Sequence, residues 1–530
     1  MTQTQTVAFL SSGGAFEAGA TEPVEVVETH GAYVFLCGDT ALKLKRAVTY
    51  DYMDLSTIEL RHEMLLRELD LNAPAAPQIY RDVLPVTRGA RGLQLGGSGP
   101  VVDWVLRMWR FPAEEEFEAI AARCAFDDAL ALQTGAAIAR YHAAAPVRRV
   151  SGRRLIAEIL AELDRVFAEF AQAPGADTLG TEALHEWQAA AGAALAEQGD
   201  VLEARGAAGH VRRAHGDLHL RNLVRIDGQP VLFDALEFDE TLGTCDVLYD
   251  VAFLVMDLCH RGLPRQACRV LDAWLREARG AEDAGLAALP LFISVRAAIR
   301  AMVLLQTDAA RRRTGASAAE VSSYLSLAVR ALHPPAAVLL AVGGFSGSGK
   351  SVLARALAPG LGAMPGAVLL SSDLERKQGR STGRLDAENY ALGRREAVYE
   401  RMLERAAVLL AAGQSVVLDA TFTDPALRRA AGAVAQEAGA GFHGLWLEAP
   451  VPVLEARVAA RHGDASDADV SVLRAQIARG AGDLDEEMAG DGGWPNYWHR
   501  LDASGTPTET LAGARRVLGK RLSGKPGADG

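Results

Sequence analysis

The residues that announce chemistry most clearly run from Gly344 to Ser351, Gly-Phe-Ser-Gly-Ser-Gly-Lys-Ser. They match G-x-x-x-x-G-K-[ST], a loop that cradles phosphate. Gly344, Gly347 and Gly349 let the backbone curl so that its N–H groups, with those of Ser346 and Ser348, point at phosphate oxygens. Lys350 brings a point charge to the transferring phosphates, and the Ser351 hydroxyl is placed to ligate Mg²⁺. A second constellation lies upstream. Asp217 and Asn222 are five apart in His215-Gly-Asp-Leu-His219-Leu-Arg-Asn222, and Asp234 follows twelve residues later. An aspartate that accepts a hydroxyl proton, an asparagine that holds a metal ion and a second aspartate on the metal form one phosphoryl-transfer set. Lys43 and Lys45 are candidates for the lysine of that set, with Glu63 or Glu68 as its partner.

These groups need particular elements beneath them. Ala337–Val342 is a short apolar run behind Pro334 and Pro335, and reads as a buried parallel strand leading into the phosphate loop, with a helix after it. Val368–Leu370, Ser415–Leu418 and Phe442–Leu447 read as further strands of that sheet, and Glu388–Ala412 as a long helix. Asp373 stands just past the carboxyl end of one such strand, where ligands of open α/β sheets sit. There it can take a proton from an acceptor hydroxyl. Arg376 follows it. Asp419 ends another strand and is placed to bind Mg²⁺. Arg461 sits where a helix meets the stretch His462–Asp467 and is a candidate for stabilising charge on the transferring phosphoryl group. Arg457, one turn earlier, and Arg474 are weaker candidates. Trp494–Trp498 reads as packing rather than an adenine platform.

Upstream, Val24–Val27, Tyr33–Cys37 and Thr40–Arg46 read as strands. In the last, period two puts Lys43 and Lys45 on one face, so the choice between them stays open. Ser56–Leu71 reads as an amphipathic helix and Val101–Met108 as a strand. From Pro112 to about Gly206 the pattern is helical. The catalytic-type loop precedes a hairpin, Leu223–Ile226 and Val231–Phe233, turned by Asp227-Gly228. His215, Asp246 and Asp250 read as loop-bracing groups, and His219 as a loop-facing histidine.

Residues 24–332 resemble the aminoglycoside phosphotransferase superfamily, relatives of protein kinases. His-Gly-Asp217-Leu-His-Leu-Arg-Asn222 is similar to its H-G-D-x-x-x-x-N signature, and Leu-Phe-Asp234-Ala-Leu-Glu-Phe stands where its I-D-x-E segment lies. One departure is that the phosphate-covering loop near Thr29–Tyr33 offers only Gly31. The whole chain resembles bacterial bifunctional proteins that join such a half to a P-loop half. The stretch around Arg461 is similar to the lid of small P-loop kinases such as gluconate, adenylate and polynucleotide kinases. The resemblance implies an α+β protein-kinase-like domain followed by an α/β P-loop kinase domain with a parallel sheet and a lid. It also implies ATP and Mg²⁺ as cofactors and an acceptor that is a small molecule with a hydroxyl.

The expected organisation is a loose segment over 1–23, a kinase-like domain over 24–332, a stiff joint over 333–336, a P-loop domain over 337–520 and a disordered tail over 521–530. A chain of 530 residues is too long for one core. Its hydrophobic fraction of 49% and charged fraction of 23% are those of globular domains. No apolar run reads as a membrane span, no signal peptide is visible, and the five scattered cysteines read as reduced, so a cytoplasmic location is expected. The net charge of −12 weighs against nucleic acid as the main partner. Ser-Asp373-x-x-Arg376 is nevertheless similar to the string of polynucleotide kinases, so a nucleotide or RNA-end kinase is one rival. A P-loop half that binds ATP only as a regulatory switch is another.

Overall fold

The computed structural model describes residues 3–16, 23–50, 53–171, 181–311, 313, 315–377, 392–460, 468–482, 484 and 498–522. The chain divides into two compact units, one of Met1–Glu158 with Leu202–Asp257 and the other of Ile159–Val201 with Leu258–Gly530.

In the first unit, helix α1 (Thr4–Ser11) precedes strands β1 (Glu25–Glu28), β2 (Ala32–Cys37) and β3 (Thr40–Lys45). The short hairpin β4 (Thr49–Tyr50) and β5 (Met53–Asp54) leads into helix α2 (Ile58–Asn72), then β6 (Tyr80–Gly89), β7 (Gly92–Leu95) and β8 (Val101–Trp109). The main sheet has the order β1-β2-β3-β8-β6-β7 and is antiparallel. Helix α2 starts where the Thr57 hydroxyl accepts the Leu60 N–H. It is held to the sheet by a buried, two-pronged ion pair between Arg61 and Asp103 of β8, at 3.0 Å in each prong. The first twenty-three residues are not uniformly loose. Helix α1 buries Leu10 completely, among Phe35, Leu42 and Val105, because one apolar face finds an open side of the sheet.

Helices α3 (Phe117–Ala122), α4 (Asp128–Ala144), α5 (Gly152–Ala171), α6 (Thr181–Glu197) and α7 (Gly199–Ala208) follow. Strand β9 (Val211–Arg213) precedes the loop of Asp217, and β10 (Leu223–Ile226) and β11 (Gln229–Leu232) form the hairpin after it. Strand β12 (Thr244–Asp246) pairs back to β9 and leads into α8 (Val247–His260).

The second unit contains α9 (Pro264–Ala278), a 3-10 turn at Ala284–Ala288, α10 (Leu289–Ala310) and α11 (Ala318–Leu332). The segment Ala284–Ala310 is long and apolar enough to cross a membrane by composition. Here its Leu291, Phe292, Ile293, Val295, Ala297 and Ala298 are buried. Then come β13 (Val338–Gly344), α12 (Lys350–Leu357), β14 (Val368–Ser371), α13 (Ser372–Lys377), α14 (Leu392–Ala411), β15 (Val416–Asp419), α15 (Pro425–Glu437), β16 (Gly441–Glu448), α16 (Val451–Ala459), α17 (Val470–Arg479), β17 (Trp498–Asp502) and α18 (Pro507–Leu522). The five strands are all parallel, in the order β14-β15-β13-β16-β17. Every residue of β13 is buried, as its continuous apolar run requires. Residues 521 and 522 end α18, and the remainder of the expected tail lies outside the described residues.

Helix α9 and the turn after it pack on this parallel sheet, although they precede the joint at 333–336. Cys268 belongs to the sheet's apolar core. The buried Arg269 donates to the Arg355 carbonyl at 2.8 Å, and Asp272 accepts the Leu369 N–H at 3.1 Å. Burial pushes the Asp272 carboxyl up to about 6. Arg405 of α14 donates to both oxygens of the buried Asp283, at 2.7 and 3.1 Å, and also to Glu375 of α13. By packing, α9 and the turn after it therefore belong with the parallel sheet, within the compact unit that resumes at Leu258.

Candidate active sites

In the first unit, β3 delivers two lysines to one carboxylate. Lys43 Nζ lies 2.7 Å from Glu68 Oε1, and Lys45 Nζ lies 2.6 Å from Glu68 Oε2. Glu68 comes from the buried face of α2, whereas Glu63 is exposed. The two lysines diverge beyond Glu68. Lys43 reaches Asp234 Oδ1 at 2.8 Å, and Lys45 bonds Glu237. Burial opposes the charge on Lys43, but the carboxylates of Asp234, Glu68 and Glu237 outweigh it and hold its pKa well above the ordinary value. The Asp234 carboxyl is likewise penalised by burial, yet Lys43 draws it below the usual range. Both therefore stay ionised.

Asp234 has φ of 59°, a left-handed conformation that costs a non-glycine residue roughly 1–2 kcal/mol. Two hydrogen bonds hold the turn: Asp234 N–H donates to the Tyr80 hydroxyl at 3.0 Å, and Ala235 N–H to the Asn72 side-chain oxygen at 2.8 Å. Sequence reasoning missed Tyr80 and Asn72, and no local signal marks either.

The Asp217 loop is braced from beneath. The fully buried Asp250 accepts the backbone N–H groups of His215 and Gly216, at 3.0 and 2.9 Å, and bonds His142 at 3.0 Å. Asp257 accepts the Leu220 N–H at 3.1 Å. Asp246 is held by Arg205 through two bonds of 2.7 and 2.6 Å. His215 bonds the Phe233 carbonyl through Nε2 at 2.9 Å, and burial lowers its pKa, so it stays neutral. Asp217 Oδ2 accepts Asn222 Nδ2 at 3.0 Å and faces His219 Nε2 at 3.3 Å. His219 Nδ1 accepts the Arg221 N–H, so its proton is on Nε2, aimed at Asp217. The asparagine, with its NH₂ on Asp217, keeps its side-chain oxygen for another ligand.

In the second unit the phosphate loop joins β13 to α12. Gly344, Gly347 and Gly349 have φ of 137°, 87° and 90°, and a side chain at Gly344 or Gly347 would strike backbone oxygens at 2.7 Å. Lys350 Nζ donates to the Phe345 carbonyl at 3.0 Å. Asp419 ends β15 level with Val342 of β13 and Ser371 of β14, whose hydroxyl donates to it at 3.1 Å. Burial raises the Asp419 pKa, only partly offset by Lys350 and by the Ser351 hydroxyl. Asp373 pairs with Arg376 at 2.8 Å on α13. Arg457 donates to the carbonyls of Ala503, Ser504 and Gly505, so it fixes the turn after β17. Arg474 pairs with Glu455 on the surface. Arg461 and residues 494–497 lie outside the described residues. Trp498 is buried flat against Gly444, as packing requires.

No cluster of three or more His, Cys, Asp or Glu ligands occurs among the described residues. Mg²⁺ does not need one, because it takes one or two carboxylates and completes its shell with phosphate oxygens and water. Asp234 with Asn222, and Asp419 with Ser351, offer oxygen donors of that kind.

Residues 38–288 match the phosphotransferase enzyme family, and residues 339–481 match an AAA domain. An uncharacterized protein of Mycobacterium tuberculosis is 29% identical over 474 residues, covering 83% of this chain and 86% of that protein. Among solved structures, a choline/ethanolamine kinase family protein from Mesorhizobium loti covers 62% of this chain and 99% of its own, at 16% identity and a TM-score of 0.35. A gluconokinase from Sinorhizobium meliloti covers 35% and 95%, at 21% identity and a TM-score of 0.25. Residues 38–288 thus carry a protein-kinase-like fold that matches the phosphotransferase enzyme family, residues 339–481 carry a parallel-sheet P-loop fold, and the chain is an ATP-dependent kinase.

Proposed function

We propose that each half transfers the γ-phosphate of MgATP to a hydroxyl of a small molecule, in the cytoplasm. The observation that carries the first site is Lys43, whose ammonium spans Glu68 and Asp234. This arrangement fixes a cation over the place where ATP phosphates would lie and keeps the metal-binding aspartate ionised. Lys45 holds the other oxygen of Glu68 and so orients it. Asp217, turned by Asn222 and His219, accepts the acceptor's hydroxyl proton as the oxygen attacks. Asn222 and Asp234 would hold Mg²⁺ there, which supplies charge neutralisation on the β- and γ-phosphates.

In the second site Lys350 and the loop amides other than that of Ser346, which Gln476 holds, would bind the phosphates. Ser351 and Asp419 would hold Mg²⁺, which suits a buried carboxylate whose charge is under-compensated. Asp373 stands as the base, with Arg376 setting its orientation, and Arg461 remains assigned to the transferring phosphoryl group from sequence. The Asp373–Arg376 pair favours a kinase over an ATP switch, since a switch needs no base on the acceptor side.

A metabolite screen for ATP-dependent phosphorylation tests this reading, run on the intact chain, Asp217→Asn and Lys350→Ala. Two products are expected, each lost in one variant. Loss of both products in either variant alone would reject two independent sites.

A further inference from the structure

The peptide between Phe345 and Ser346 is gripped on all sides. Its carbonyl accepts Lys350 Nζ at 3.0 Å and the Ser348 N–H at 3.2 Å. Its N–H, on Ser346, donates to Gln476 Oε1 at 3.0 Å. The Phe345 side chain packs into the apolar cluster of Leu454, Val458 and Leu473, between α16 and α17. Gln476 lies on α17, so a helix 130 residues along the chain supplies the acceptor for a phosphate-loop amide. A loop of this kind, rich in glycine, has many unbound conformations to lose on binding phosphate. The bonds from Gln476, Ser348 and Lys350 to this one peptide restrict those conformations from within the protein.

We propose that Gln476 is a positioning residue of the second nucleotide site. Its carboxamide oxygen pins the 345–346 peptide, and through the Phe345 carbonyl it sets where Lys350 waits. The affinity for nucleotide then depends on the seating of α17, although Gln476 itself touches no phosphate. This inference rests on the P-loop half binding nucleotide, as proposed above.

The test uses the full chain with Asp234→Asn, so that the first site contributes little binding. Gln476→Met keeps the size and removes the acceptor, whereas Gln476→Glu keeps an acceptor. In the nucleotide-free protein, the Ser346 amide should exchange with solvent faster in Gln476→Met and stay protected in Gln476→Glu. MgADP and MgATP should both bind about two- to tenfold more weakly to Gln476→Met, the range set by one net hydrogen bond. Unchanged Ser346 exchange in Gln476→Met overturns the proposal. So does a loss confined to MgATP, which would make Gln476 a direct ligand of the terminal phosphate. Failure of the nucleotide reading shows separately, as unchanged binding in Lys350→Ala, because the exchange measurement needs no nucleotide.

Discussion

Replacing Arg405 by Met should loosen the acceptor side of the second site from a distance. Arg405 is 15% exposed and is the partner of two carboxylates more buried than itself, Asp283 at 2% and Glu375 at 4%. Burial disfavours its charge, but the hydrogen bonds and field of Asp283, with Glu375, raise its pKa, so the guanidinium is firmly ionised. Methionine matches the length of the stem and leaves two buried carboxylates without a cation. Breaking a buried pair from one side costs about 3–5 kcal/mol. That cost is a large share of the roughly 5–15 kcal/mol that holds a domain folded. The chain has two units, so a single melting temperature would blur the effect. Hydrogen exchange over 372–377 and 396–411 is the better assay, since it reads local opening. Protection there should fall by about 10²–10⁴-fold, each 1.4 kcal/mol being a factor of ten. Adding Asp283→Asn and Glu375→Gln to Arg405→Met should restore most of it, because no buried charge is then stranded. A change under threefold, or a triple variant as weak as the single one, would refute the assignment.

Asp217→Asn should leave nucleotide binding at the first site intact and cut transfer by about 10²–10⁴-fold, the usual contribution of a general base; Asp234→Asn should instead weaken Mg²⁺-dependent binding, and identical behaviour would contradict the roles. Asp272 sets a pH dependence. Its folded pKa of about 6 exceeds the unfolded value of about 3.9. The native state therefore binds the extra proton between those values, and stability of the second unit should rise as pH falls from 7 towards 4, by up to roughly 3 kcal/mol. Asp272→Asn should flatten that slope in urea titrations at several pH values; an unchanged slope counts against it. Finally, a cut between Leu332 and Ala336 should leave a C-terminal piece much less stable than one starting at Leu258. The shorter piece lacks Asp283, Asp272 and Cys268, and equal urea midpoints for the two would disprove this.

The glycine turn of the phosphate loop and the contact between Asp217 and Asn222 were legible in the sequence, because each is set by local spacing. The sequence also placed Lys43 and Lys45 together on β3, and the structure uses both on one Glu68. What stayed hidden depended on distant neighbours. Strand β6 is obscured by Pro85 at its centre and by Arg81 and Asp82, yet it pairs along β8 with two register irregularities. Strand β17 follows a stretch that read only as aromatic packing. Helix α1 has no capping signal and is held by the sheet it covers. Gln476 had no mark at all, since its meaning arises only where α17 meets the loop. The prolines at 334 and 335 signalled a joint by composition, but contacts made by Arg269, Asp272 and Asp283 decide which fold their helices join.

That division has a consequence for how the chain is made. Once residue 257 has left the ribosome, every segment of the first unit is available to it. Residues 159–201 are by then long exposed, but their own unit is finished only when the parallel sheet arrives. With 245 residues between position 257 and the end of β17 at Asp502 (502 − 257) and synthesis at about 5–20 residues per second, the wait is on the order of 10–50 s. During it, Trp187 lacks the Ser294 hydroxyl that it later bonds at 2.9 Å, and the apolar face of α9 lacks its sheet. A chain stalled in that interval should expose sticky helices beside a finished domain, which marks it as a client for chaperones during translation.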